Sequence, residues 1–188
     1  MIGFLSDSSG TAQATLIPLG TDTLGNKLIY DNDFNITWYD YSNPIDNWLS
    51  QWNWADALSV TFGSTTYTEW RLPTALNQDG SGPDFGFSVT GSEMGHLYYT
   101  ELGNQAGGPF SNTSPFQNLI GARYWSWPVY APDLLVDAWD FRFLNGKQEV
   151  WNQGNTGYAL AVHPGEVPEP ATLGLLLVSG LAVLWRRR

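Results

Sequence analysis

Pro168 and Pro170 divide this 188-residue chain into two parts suited to different solvents. Beyond them, residues 171–185 carry no charged side chain and end against Arg186, Arg187 and Arg188. Leu173, Leu175, Leu176, Leu177, Val178, Leu181, Val183 and Leu184 would clothe every side of a helix, leaving no polar stripe to face water. Such a helix is about 22 Å long, somewhat short of the roughly 30 Å hydrocarbon core of a bilayer. The Trp185 indole suits the headgroup level, and the three arginines would hold that end on the cytoplasmic side. The two prolines keep the helix from running back into whatever precedes it. A globular fold must therefore be built before residue 166, and the tail is expected to enter a membrane through residues 171–185.

Val167, Pro168, Glu169 and Pro170, the apolar run and the closing anchor of Trp185, Arg186, Arg187 and Arg188 together resemble the PEP-CTERM sorting signal of exported bacterial proteins. The resemblance implies an exosortase-type transpeptidase as partner and cleavage near the Pro-Glu-Pro. It also implies passage through the inner membrane to the cell surface or extracellular matrix. On that reading the motif residues are substrate, and deleting 167–188 should leave the domain folded but unsorted. Thr11-Ala12-Gln13-Ala14-Thr15 looks like the end of an export signal, so residues 1–20 are read as disordered or as the remnant of such a signal, with the true start upstream.

Only Lys27, Arg71, Arg123, Arg142 and Lys147 are basic before position 170, against eighteen acidic residues. A phosphate backbone is repelled by such a body, and nucleic acid is excluded as a partner. The absence of cysteine removes disulfides, thiolate catalysis and thiolate metal sites, and two histidines are too few for a three-histidine zinc site. No cofactor and no metal is expected, and the domain should fold without either.

Along the chain, Lys27–Tyr30 and Asn35–Tyr39 read as strands around an Asp31-Asn32-Asp33 turn. From Asp46 to about Val60 the spacing of Trp48, Leu49, Trp52, Ala55 and Leu58 predicts a helix capped by Asp46. Residues 75–91 and 104–117 read as loops, and Ser92 caps a second predicted helix running to Leu102. Asn145-Gly146 predicts a hairpin turn between Asp137–Phe143 and Lys147–Trp151, with Trp139, Phe141 and Phe143 facing the core. Tyr158–Val162 closes the set. The expected fold is α+β: one domain over 21–165 with two helices and a late antiparallel sheet, a linker at 166–170, and the hydrophobic helix with its arginines at 171–188.

The succession Asn53-Trp54-Ala55-Asp56-Ala57, Glu69-Trp70-Arg71-Leu72-Pro73-Thr74, Tyr124-Trp125-Ser126, Ala138-Trp139-Asp140-Phe141 and Tyr158–Val162 resembles the Lcl C-terminal domain family across roughly residues 27–165. The resemblance implies a C-type-lectin-like fold, with Trp54, Trp70, Arg71, Leu72, Pro73, Tyr124, Trp125 and Trp139 in structural roles. Two positions depart from the family pattern: Trp127-Pro128 follow Trp125-Ser126, and His163 stands where an arginine is usual. That leaves in doubt any acid pairing the family arginine would make.

Arg71, a rare cation between Trp70 and Leu72, is read as a buried brace stacked on an indole and paired with a carboxylate. Its alternative is a clamp for an anion or sugar acid. Asp31-Asn32-Asp33 opens like a calcium loop but has Ile36 at the sixth position and Ser42 at the twelfth. Calcium on the loop carboxylates Asp79 and Asp84 stays open. Glu93 and His96 are three apart on the second predicted helix, a minimal acid/base pair, with Glu101 beside them. Among the tryptophans, Trp127 is the one expected at the surface. The leading expectation is a non-enzymatic surface or matrix module, with extracellular polysaccharide as candidate partner. The alternative is a secreted hydrolase using loop carboxylates, with calcium assistance.

Overall fold

The computed structural model describes residues 16–168. Nine strands and two short helices follow in the order β1 (Leu16–Thr21), β2 (Lys27–Asp31), β3 (Ile36–Asp46), α1 (Trp48–Asp56), β4 (Val60–Phe62), β5 (Thr65–Tyr67), α2 (Glu93–His96), β6 (Arg123–Val129), β7 (Asp137–Arg142), β8 (Lys147–Asn152) and β9 (Gly157–Pro164). Seven strands form one mixed sheet in the order β1-β2-β3-β9-β6-β7-β8, and β4-β5 form a separate hairpin. All pairings in the large sheet are antiparallel except β6 with β9, which run parallel at Tyr124 and Tyr158. The domain is mostly β, and its sheet is not confined to the late strands. The last strand, β9, inserts between β3 and β6 and joins the two ends of the chain.

Both faces of the sheet are covered, and this decides which side chains are buried. Leu28, Tyr39, Trp70, Leu72, Trp125, Ala159 and Ala161 form one core beneath α1 and the β4-β5 hairpin. Ile29, Trp38, Met94, Leu97, Tyr98, Phe141, Leu160 and Val162 form the other, beneath α2 and its continuation. Along β9, Ala159 and Ala161 enter the first core while Leu160 and Val162 enter the second, the two-residue period of a strand. Trp139, Phe141 and Phe143 are buried as their alternation predicts, but Ala138 and Asp140 on the opposite face are buried too. Alternation marks the aromatic trio as core-facing and is silent on whether the opposite face meets water; here that face is roofed too.

The first helix is shorter than its periodicity suggests. Asn47, not Asp46, caps it: its side-chain oxygen accepts the Ser50 N–H at 3.0 Å. Leu49 is exposed and Gln51 is fully buried. The Gln51 amide donates to the carbonyls of Pro44 (2.6 Å) and Gly157 (2.9 Å) and accepts from Asn43 (2.7 Å), so it ties α1 to β3 and β9. Residues up to Tyr67 then turn into the small hairpin. Ser92 does cap α2, accepting the Gly95 N–H at 3.3 Å. From Leu97 to Glu101 the same helix widens into a π-turn, closed by the Leu102 N–H on the Leu97 carbonyl at 2.9 Å.

The domain is longer at both ends than 21–165. Leu16–Thr21, all but its last residue within the 1–20 segment read as disordered or as signal remnant, pairs with β2 as an edge strand. Val167, the first residue of the sorting motif, is fully buried in the first core, and its N–H donates to Thr37 Oγ1 at 3.2 Å. Residues 166–170 are therefore not a free linker throughout. Glu169, Pro170, Trp185 and Arg186–Arg188 lie outside the described residues, as does the expected membrane helix; among the described residues no helix is long and apolar enough to cross a membrane. A chain ending at Val167 is expected to keep full stability, whereas one ending at Glu166 loses about 1.5–3 kcal/mol, the value of a buried aliphatic side chain. Urea unfolding of the two truncations measures the difference, and equal midpoints would show that Val167 contributes nothing.

Candidate functional site

The stretch Trp70–Ala75 carries the most distinctive sequence of the domain and occupies a distinctive place. Arg71 exchanges backbone hydrogen bonds with Val162 of β9, at 3.0 and 2.9 Å. Two residues on, the Trp127 N–H of β6 donates to the Pro73 carbonyl (2.9 Å) and the Ala75 N–H to the Trp127 carbonyl (2.7 Å). The segment thus wedges between β9 and β6, which hydrogen-bond to each other at one point only. Trp70, Leu72 and Pro73 fill the core below the wedge, as Tyr124, Trp125 and Trp139 do elsewhere; Trp54 is half-buried against Tyr41.

Above the wedge lies a cleft of about 450 Å³, lined by the apolar groups of Trp52, Leu72, Leu76 and Trp127 together with Arg71, Thr74, Asn77, Gln78 and Gly80. Trp127 is 44% exposed, the surface position expected for it. Trp52 of α1 is half-buried on the first core and was not singled out as a surface residue, because its helical spacing marks it as core. The lining contains no carboxylate.

Arg71 presents a pre-paired guanidinium to this cleft. Nη1 and Nη2 donate to the two oxygens of Glu93 at 2.8 and 2.6 Å, and Nη1 also reaches the Leu72 carbonyl at 3.1 Å. Glu93 is almost wholly buried and accepts the Thr74 N–H as well, at 2.7 Å. Burial works against the guanidinium charge, but the Glu93 hydrogen bonds and charge outweigh it and hold Arg71 above its ordinary value. The expected carboxylate is present. The indole stacking expected of Arg71 is found at Arg123 instead, whose guanidinium lies 3.9 Å from the Trp151 ring centroid.

The two members of the Glu-x-x-His pair are committed to different partners. Glu93 serves Arg71, while His96 Nε2 lies 3.3 Å from Glu101 and 3.5 Å from Asp33. His163 lies against the rings of Trp70 and Tyr67, with its Nδ1 buried and unpartnered, and among the described residues it has no acid partner. Burial lowers its affinity for a proton. In the long loop, Asp79 accepts the Ser81 N–H and Asp84 accepts from the Asn77 amide, so each serves its own turn. Asp31, His96 and Glu101 do form a compact donor group, which linear reading missed because Asp31 is distant in sequence.

The model of the PEP-CTERM protein-sorting motif matches residues 166–188. No curated protein and no solved structure matches the chain. The match covers the tail alone, and it agrees with the residue-level reading of the Pro-Glu-Pro, apolar run and arginines. This chain carries a PEP-CTERM sorting motif at its C-terminus and, by that motif, is an exported surface protein processed by exosortase.

Proposed function

We propose that the sorted domain is a non-catalytic binding module for extracellular polysaccharide, with the cleft between Trp52 and Trp127 as its binding face. The observation that carries this reading is the pairing of a surface indole with a half-buried one in a mainly apolar cleft that also holds a few polar side chains. Apolar sugar faces stack on indoles, and Arg71, Thr74, Asn77 and Gln78 offer hydrogen bonds to the hydroxyl rim. Two acids flanking a scissile bond are the usual requirement of a glycoside hydrolase; a lining without carboxylates favours binding over cleavage. The Lcl C-terminal-like, C-type-lectin-like assignment of residues 27–165 belongs to this proposal. It rests on the sequence resemblance of Trp70-Arg71-Leu72-Pro73-Thr74 and its companion stretches.

Trp127→Ala is expected to weaken glycan binding by about ten- to a hundredfold, the value of one large apolar contact. Because Trp127 is 44% exposed, its removal should change stability by less than about 1 kcal/mol. A glycan array probed with wild type, Trp52→Ala and Trp127→Ala supplies the comparison. Retention of every bound glycan by both variants would remove the cleft from consideration.

A further inference from the structure

On the other face of the sheet, where β2 ends and the π-turn begins, four side chains converge outside the cleft. Asp31 is fully buried; its Oδ1 accepts the N–H groups of Asp33 (3.2 Å) and Phe34 (3.1 Å), and its Oδ2 accepts the Trp38 indole N–H at 3.4 Å. His96 is stacked under the Phe34 ring, centroids 4.2 Å apart. Its side chain is 9% exposed and that of Glu101 is 1% exposed. One donor atom each from Asp31, His96 and Glu101 lies within 4.8 Å of the other two, and Asp33 approaches His96 from the solvent side.

The backbone is shaped to bring these groups together. Residues five apart on an α-helix point about 140° away from one another. Widening Leu97–Glu101 into a π-turn brings Glu101 round beneath His96, so that the carboxylate meets the imidazole at 3.3 Å. A π-turn inside a helix is uncommon and recurs at functional sites.

Charge gives an independent indication. Three carboxylates meet one imidazole, and among the described residues no lysine or arginine forms an ion pair with any of them. Desolvated carboxylates without a counter-charge take up protons or bind a cation. We propose that Asp31, His96 and Glu101, with Asp33 at the open side, form a binding site for one divalent transition-metal ion of the zinc class.

The donor chemistry sets the class. An imidazole nitrogen with two or three carboxylate oxygens suits zinc, whereas calcium takes oxygen donors alone. Zinc held at about 2.0–2.1 Å from each donor requires tetrahedral donors to stand roughly 3.3 Å apart, and His96 and Glu101 already do. The ion would clamp the Asp31-Asn32-Asp33 turn to the π-turn, a structural use independent of the cleft. The expectation of a metal-free chain followed from the lack of cysteine and the count of two histidines; this site needs one histidine, with carboxylates brought to it from other elements.

The test uses metal-depleted full-length chain titrated with Zn²⁺, with Ca²⁺ as control, by calorimetry and metal analysis. Expected are one bound Zn²⁺ per chain, a rise in Tm with Zn²⁺, and no saturable Ca²⁺ binding. His96→Gln and Glu101→Gln should each weaken Zn²⁺ at least about tenfold, a loss that even an outer partner of a metal can cause. His163→Gln, the other histidine, should bind as wild type does. A readout that needs no variant is the imidazole NMR spectrum, in which Zn²⁺ should move the His96 signals and leave those of His163 in place. Absence of saturable Zn²⁺ binding by the wild type, or undiminished binding by the folded His96→Gln and Glu101→Gln variants, overturns the site and leaves a shared proton as the balancing charge. Movement of the His163 signals in place of those of His96 overturns it equally.

Discussion

Arg123→Ala is expected to destabilise the domain by about 3–5 kcal/mol, the scale for stripping the partner from a buried charge. The guanidinium is largely covered and holds two carboxylates, Asp140 at 2.6 Å and Glu149 at 2.8 Å. Its flat face also covers Trp151, which in turn stacks on Trp125 in the first core. Glu149 keeps Arg142 and Lys147 after the substitution, but both of those side chains are substantially exposed and neither is paired with Asp140. Asp140 is fully buried, and its Oδ1 already lacks a partner.

The penalty should depend on pH in a defined direction. Burial first, then the Glu149 charge, push the Asp140 carboxyl up to about 9, with Lys147 pulling the other way. An unfolded aspartate titrates near 3.9. The proton bound by the folded state therefore stabilises fully below about pH 4, and this contribution disappears as pH rises through about 9. A neutral Asp140 has less need of Arg123, so the cost of Arg123→Ala should shrink on going from about pH 10, where Asp140 is charged, to about pH 7, where it is neutral. Arg123→Lys should recover part of the loss, because an ammonium cannot span both carboxylates or lie flat on the indole. Urea unfolding of wild type and both variants at the two pH values measures this. A loss under about 1 kcal/mol at about pH 10 would contradict the assignment.

Arg71→Ala should cost about 2–4 kcal/mol, slightly less than Arg123→Ala. The difference follows from exposure: the Arg71 side chain is 41% exposed, so solvent screens part of its attraction to Glu93. Glu93 is 2% exposed, and without Arg71 it retains only the Thr74 N–H. The deleted side chain also removes one of the ties between α2 and the wedge, leaving those that Glu93 makes to the Thr74 backbone. Arg71→Lys should restore part of the stability, because one ammonium cannot satisfy both Glu93 oxygens in the planar geometry. Denaturant unfolding should be run beside the glycan array, since Arg71 also lines the cleft. Full stability in both variants together with lost glycan binding would make Arg71 a ligand clamp and remove its bracing role.

The site was only partly legible beforehand. Arg71 stands out because cations are rare here and its neighbours are apolar, and Trp127 because proline and a loop-like context follow it. Neither observation points to Glu93 as the partner, twenty-two positions away. Arg123 attracted no notice, yet its long side chain joins β6, β7 and β8 through Asp140 and Glu149. Likewise Asp31 and Glu101 become neighbours only because the helix takes a π-turn, for which residue spacing offers no separate signal.

Local rules governed the local features. Asn145-Gly146 makes its turn between β7 and β8, with Gly146 at φ +82°, because glycine alone enters that region freely. Ser92 caps its helix because its hydroxyl reaches the free N–H groups of the first turn. The tail declares its sorting role because composition and order suffice for that signal. Tertiary structure alone decided that β9 lies between β3 and β6, that the sheet is roofed on both sides, and that Val167 belongs to the core. The physical reason is that strand order and two-sided burial arise from contacts between distant segments, and a strand's alternation is the same whether its second face meets water or another layer.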